Sequence, residues 1–75
     1  MRKRDERERP DSCWNKARDD ERLFVLLDRD EAFPGTVRFW AAERVRLGLN
    51  RPGDPKLESA LREADEVERD HASRG

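Results

Sequence analysis

The residues of this chain best equipped for chemistry are few, and they are binding groups. Trp14, Asn15 and Lys16 are consecutive. They supply a ring face, an amide that both donates and accepts, and a cation, the groups that grip a base, its edge and a phosphate. Arg44 follows Trp40 by one helical turn, the spacing at which a guanidinium stacks on an indole and presents its fork to phosphate or carboxylate. Arg38 adds a second cation to the same segment. Plainer readings stand beside these: Trp14 as a cover over apolar surface, and Arg44 as a snorkelling side chain whose stem lies along apolar neighbours. Trp14, Asn15, Lys16, Arg38 and Arg44 form the candidate ligand-binding set.

Catalysis has little to draw on. The chain holds one His, one Cys and no Tyr. Ser12 and Ser59 have no neighbouring base in a recognisable pattern, so no activated nucleophile is in view. The carboxylates fall in charged runs such as Asp19–Asp20 and Glu63–Glu66, which read as solvated surface. Gly35, Gly48 and Gly53 match no phosphate-loop spacing. A single cysteine, Cys13, rules out an intramolecular disulfide and any Cys-rich zinc centre. The expectation is a protein that is not an enzyme, with no cofactor and no metal.

These groups must be positioned by a very small core. The chain has 75 residues, of which 33% are hydrophobic and 47% charged, and its mean hydropathy is -1.23. A domain of this size buries only about 60% of the surface its unfolded chain exposes. Without disulfide or metal, the remaining support is a partner subunit, so a homo-oligomer is expected. The formal net charge is -1, with the acidic excess in the last third. A domain built to neutralise double-stranded DNA would be strongly basic, so that partner is not expected. The longest apolar run, Leu23 to Leu27, is five residues, far short of a membrane span or a signal sequence. A cytoplasmic protein without membrane contact is expected.

Along the chain, residues 1–11 alternate charge and end beside Pro10, which reads as a disordered charged arm. Residues 12–72 form one small domain. Within it, "RLFVLLD" at 22–28 is apolar on both faces of a strand, and its Phe-Val pair favours that state. A cap by Asp19 or Asp20 makes one or two helical turns the alternative. A lone strand would need a partner, such as the same strand of a second subunit. From about 33 to 48 a helix is expected, with Pro34 in its first turn and Gly48 ending it. Its stripe is Phe33, Val37, Trp40, Ala41, Arg44, Leu47 and Gly48, which leaves Arg38 and Phe39 on the flank. Asp54 caps a second helix with Pro55 at its first position, running from about 55 to 71 with the stripe Leu57, Ala60, Leu61, Ala64, Val67, Glu68 and His71. Counting outward from the connector, Leu47 lies near Leu57, Arg44 near Ala60 and Leu61, Trp40 near Ala64 and Phe33 near His71. Trp40 over Ala64 would be the main core contact. The fold class is thus α+β, mostly helical: a short strand at 22–28, then an antiparallel helical hairpin, in an oligomer. The alternative is all-α.

Residues 12–68 carry a recognisable pattern. It comprises the opening "CWNKA" (13–17), the acidic pair Asp19–Asp20, "FVL" (24–26), Pro34 ahead of "VR.WA" (37–41), "PGDPK" (52–56) and "AL..AD" (60–65). The pattern resembles a family of short bacteriophage and prophage accessory proteins. This chain departs from it at Arg22, where the family usually has Pro. The resemblance implies a phage gene product that antagonises host defence. Two mechanisms suit a small binder of that kind. One is an oligomeric sponge that sequesters a nucleotide-derived immune signal, with Trp14 on a base, Asn15 at its edge, and Lys16, Arg38 and Arg44 facing phosphates. The alternative is an inhibitor that binds a host defence protein directly, presenting Phe39, Trp14 and the acidic face of residues 63–70. A nucleic-acid-associated accessory protein is a third class.

Overall fold

The computed structural model describes residues 2–74 and contains four helical segments among them: α1 (Lys3–Glu8), α2 (Cys13–Lys16), α3 (Phe33–Arg46) and α4 (Pro55–Arg74). No strand occurs among the described residues, so the single chain follows the all-α alternative, and the strand expected over 22–28 is corrected. Residues 22–27 have no regular structure. The physical reason is local: a strand must hand its N–H and C=O groups to a neighbour, and the other described residues offer helix, turn and short irregular stretches. Where a disordered charged arm is expected over 1–11, Lys3–Glu8 is helical; Met1 lies outside the described residues. Asp5 starts that helix, its carboxylate accepting the Arg2 backbone N–H at 3.1 Å while its own N–H donates to the Arg2 carbonyl at 2.9 Å, a start that the alternating charges disguise.

The hairpin follows its punctuation closely. Asp30 holds the approach to α3, its carboxylate accepting from Ala32 N–H at 2.8 Å and its carbonyl from Phe33 N–H at 3.0 Å. Pro34 then occupies the first turn, where its missing N–H costs nothing. Gly48 stops the helix at φ 73°, the left-handed conformation that lets Leu49 N–H return to the Arg44 carbonyl at 2.9 Å. Asp54 opens α4 by accepting from Lys56 N–H at 2.8 Å beside Pro55. The second helix runs to Arg74, slightly past the expected end.

Helices α3 and α4 pack antiparallel in the expected register. The outward count sets Arg38 opposite position 66, and its guanidinium bridges Asp65 and Glu68 on either side of it. Rotation of α3 is what differs. Its buried residues are Pro34 and Ala41, flanked by partly buried Val37, Arg38 and Val45, a face turned about 75° from the anticipated stripe at 100° per residue. The stripe of α4 is as expected, with Leu57, Ala64 and Val67 buried. Trp40 is therefore not the centre of the core. It sits at the edge, 40% exposed, while Ala41 and Ala64 are 4% and 0% exposed. Small residues on both helices let the backbones approach, and the carboxylates of α4 draw in Arg38 in place of the indole.

The resulting body is open. Its radius of gyration is 13.5 Å, against about 11 Å for a compact domain of this length. Its accessible surface is 6568 Å², roughly a third more than the about 4800 Å² of a compact monomer of this mass. Outside the helical pairs, His71 makes the long-range link, its Nε2 donating to the Asp28 carbonyl at 2.7 Å and mooring the end of the irregular segment to α4.

Candidate functional site

Each proposed ligand-binding residue has a definite place. Helix α2 is capped by Ser12, whose hydroxyl accepts from Asn15 N–H at 3.2 Å and donates to the Glu6 carbonyl at 2.5 Å. Asn15 then spends its side-chain amide on α1. Its Nδ2 donates to the carbonyls of Glu6, Arg7 and Arg9 at 2.8, 3.0 and 2.8 Å, two hydrogens shared among two carbonyls the helix leaves open at its C-terminal end and that of its capping residue. Glu6 adds a carboxylate contact to Trp14 N–H at 3.2 Å. The α1–α2 pair is thus tied by hydrogen bonds, with Ser12 as its buried residue. Trp14, 53% exposed, and Lys16 project from it.

Arg38 is committed within the hairpin. Its Nη2 donates to Asp65 Oδ1 at 2.7 Å and Glu68 Oε2 at 2.6 Å. The hydrogen bond it donates to Glu68, then that to Asp65, raises the guanidinium pKa above its usual range, and Arg38 in return holds the Glu68 carboxyl below its ordinary value. Two carboxylates on one cation leave a net negative spot, a poor seat for a phosphate. Arg38 lies between the helices, in contrast to the flank position expected for it.

Arg44 is also used by the fold. Its Nε donates to Asn50 Oδ1 at 2.6 Å, and Asn50 Nδ2 passes the chain on to Asp54 Oδ2 at 3.1 Å. The relay links the end of α3 to the cap of α4. The Asn50 amide, followed by the Lys56 backbone N–H, lowers the Asp54 carboxyl pKa. Neither α1 nor α2 packs against α3 or α4 among the described residues, so Trp14, Asn15 and Lys16 stand apart from Arg38 and Arg44. The shallow cleft beside the hairpin, about 240 Å³, is lined by Ala41, Ala42, Val45, Leu57 and Leu61 with Arg38 and Glu58 at its rim. It falls below the roughly 300–1,000 Å³ of small-molecule pockets.

The sequence reading singled out Phe39 as a presented residue but missed the face it belongs to, the outer face of α3. Thr36, Phe39, Trp40, Glu43 and Leu47 lie within about 100° of arc, opposite the face turned to α4. Phe39 is 69% and Leu47 57% exposed. Glu43 is tied in place by Arg46, whose Nε and Nη2 donate to its two carboxylate oxygens at 2.8 Å each. The helix buries Pro34 and Ala41 while exposing Phe39, Trp40 and Leu47, the reverse in size of a surface helix on a finished domain. Periodicity hides this, since apolar residues occur around the whole circumference. The signal that could have revealed it is the pair of carboxylates at positions 65 and 68, which select Arg38 for the inner face. No family model matches the chain, and no curated protein or solved structure matches it.

Proposed function

We propose that this chain is a non-enzymatic phage accessory protein that acts by binding another protein, a host defence protein, through the outer face of α3. The observation that supports this is the inversion of size on that helix: Phe39, Trp40 and Leu47 point to solvent while Ala41 is buried. Aromatic anchors on one exposed helical face are the means by which a helix docks into an apolar groove. The phage setting and the defence target rest on the resemblance of residues 12–68. The absence of an enzymatic role rests on the scarcity of nucleophile and base in the sequence.

The nucleotide-sequestering alternative draws less support from the geometry. Asn15 is occupied by the carbonyls of α1 and Arg38 by Asp65 and Glu68, while Arg44 lends its Nε to Asn50. That reading keeps Trp14, Lys16 and the charge of Arg44.

The two mechanisms separate in one experiment. Tagged protein is used to capture partners from host lysate, alongside Phe39→Ser, and both are screened for thermal shift against cyclic and ADP-ribose-type nucleotides. A host protein retained by the parent chain and lost with Phe39→Ser, whose helicity is unchanged, is the expected result. A nucleotide shift that disappears with Trp14→Ala, with no protein captured, would overturn it in favour of the sponge.

A further inference from the structure

We infer that residues 22–28 are a self-recognition segment: they pair with the same residues of a second copy as a two-stranded antiparallel ribbon whose two-fold axis passes through Val25. The segment is an unfinished piece of structure. Leu23, Phe24, Val25 and Leu27 are 53%, 82%, 66% and 50% exposed. The backbone groups of residues 22–26 take no part in the backbone hydrogen bonds of the described residues, which flank them at Glu21 N–H to the Arg18 carbonyl and Asp30 N–H to the Leu27 carbonyl, each 3.0 Å. Both the side chains and the main chain are available to a partner.

Charge identifies that partner. In the antiparallel register centred on Val25, each Leu23 faces Leu27, each Phe24 faces Leu26, and each Arg22 faces the other copy's Asp28; beyond them Glu21 faces Arg29. Opposite charges directly across a strand pair are favourable, and like charges are not. A slip of one position in either direction destroys this match, placing Glu21 against Asp28 or Arg22 against Arg29. A parallel in-register pair would set every charge against itself. One arrangement is therefore selected, and its complement is this sequence read backwards. It also makes one face of Leu23, Val25 and Leu27 from both copies and another of Phe24 and Leu26, since alternate residues share a face.

The chain as a whole exposes roughly a third more surface than a compact monomer, so a seam begun at this segment has further surface to draw on. The segment is distinct from the outer face of α3, so either assignment can fail while the other stands.

The test uses the full chain in sedimentation equilibrium, with charge reversals at the two ends of the segment. Arg22→Asp alone and Asp28→Arg alone each set like charges at both ends of the ribbon and should weaken dimerisation at least tenfold. Mixing the two single variants restores opposite charges at both ends and should recover a heterodimer, and the double variant should recover the homodimer. In a Cys13→Ser background, Val25→Cys should cross-link with its copy under oxidised glutathione. Phe24→Cys should do so only when mixed with Leu26→Cys. Circular dichroism of each variant reports that the hairpin is intact. A parent chain that remains monomeric at millimolar concentration, or a dimer indifferent to both reversals, would overturn the assignment.

Discussion

Replacing Ala64 with Leu tests the geometry of the hairpin by the sign of its effect. Ala64 is 0% exposed, on the face of α4 that meets α3. Ala and Leu have nearly equal intrinsic helix preference, so the helix itself is little affected. If the helices were separated by a gap, burying the three added carbons would stabilise by about 2.4 kcal/mol, at about 0.8 kcal/mol each. If the backbones approach as closely as the buried Ala41 and Ala64 imply, the same atoms must displace α3, and overpacking costs about 1–3 kcal/mol. The control is Ala72→Leu, which makes the same change at an exposed position of the same helix. Thermal and urea unfolding followed by circular dichroism would show Ala64→Leu lowered in Tm by roughly 4–8 °C per kcal/mol, with Ala72→Leu close to the parent. A rise in Tm for Ala64→Leu, or equal behaviour of the two variants, would refute close packing of α3 on α4.

Three further outcomes follow from the same geometry. Leu57→Ala, removing the largest buried side chain of α4, should cost about 2–5 kcal/mol in urea unfolding, whereas Phe39→Ala should stay within about 0.5 kcal/mol because its ring is mostly in water. Acid should loosen the hairpin: the Glu68 carboxyl is lowered by Arg38, so its contribution is present above the ordinary carboxylate pKa and is lost as pH falls through the lowered value. The Tm should hold steady around neutrality and decline on strong acidification, and Glu68→Gln should flatten that decline. Asn15→Ala should release α1 from α2, seen as faster amide exchange over residues 3–16 with no change over 33–74.

The hairpin was legible because its boundaries are set by residues that act locally. Pro34, Gly48 and the Asp54–Pro55 pair each impose a conformation whatever surrounds them, and the small residues of α4 make a single unambiguous stripe. The rotation of α3 was not legible, because Phe33, Trp40 and Leu47 on one side and Pro34, Val37, Ala41 and Val45 on the other compete for the inner face. The choice falls to Arg38 and two carboxylates far along the chain. The run at 22–28 has the alternation of a strand but depends on a neighbour the single chain lacks. Among the candidate binding residues, polar capacity was readable and engagement was not. An amide that can read a base edge can equally close a helix end, as Asn15 does, and a guanidinium suited to phosphate serves two carboxylates as well.

The mooring of Asp28 to His71 sets the reach of any assembly built from this chain. Because the irregular segment is fastened to the far end of α4, joining two copies there would carry two copies of the α3 outer face on one particle at a restricted spacing. A dimeric target with grooves at a matching distance would engage both at once. Its hold would then reflect effective local concentration, and a weak single contact would suffice for long residence.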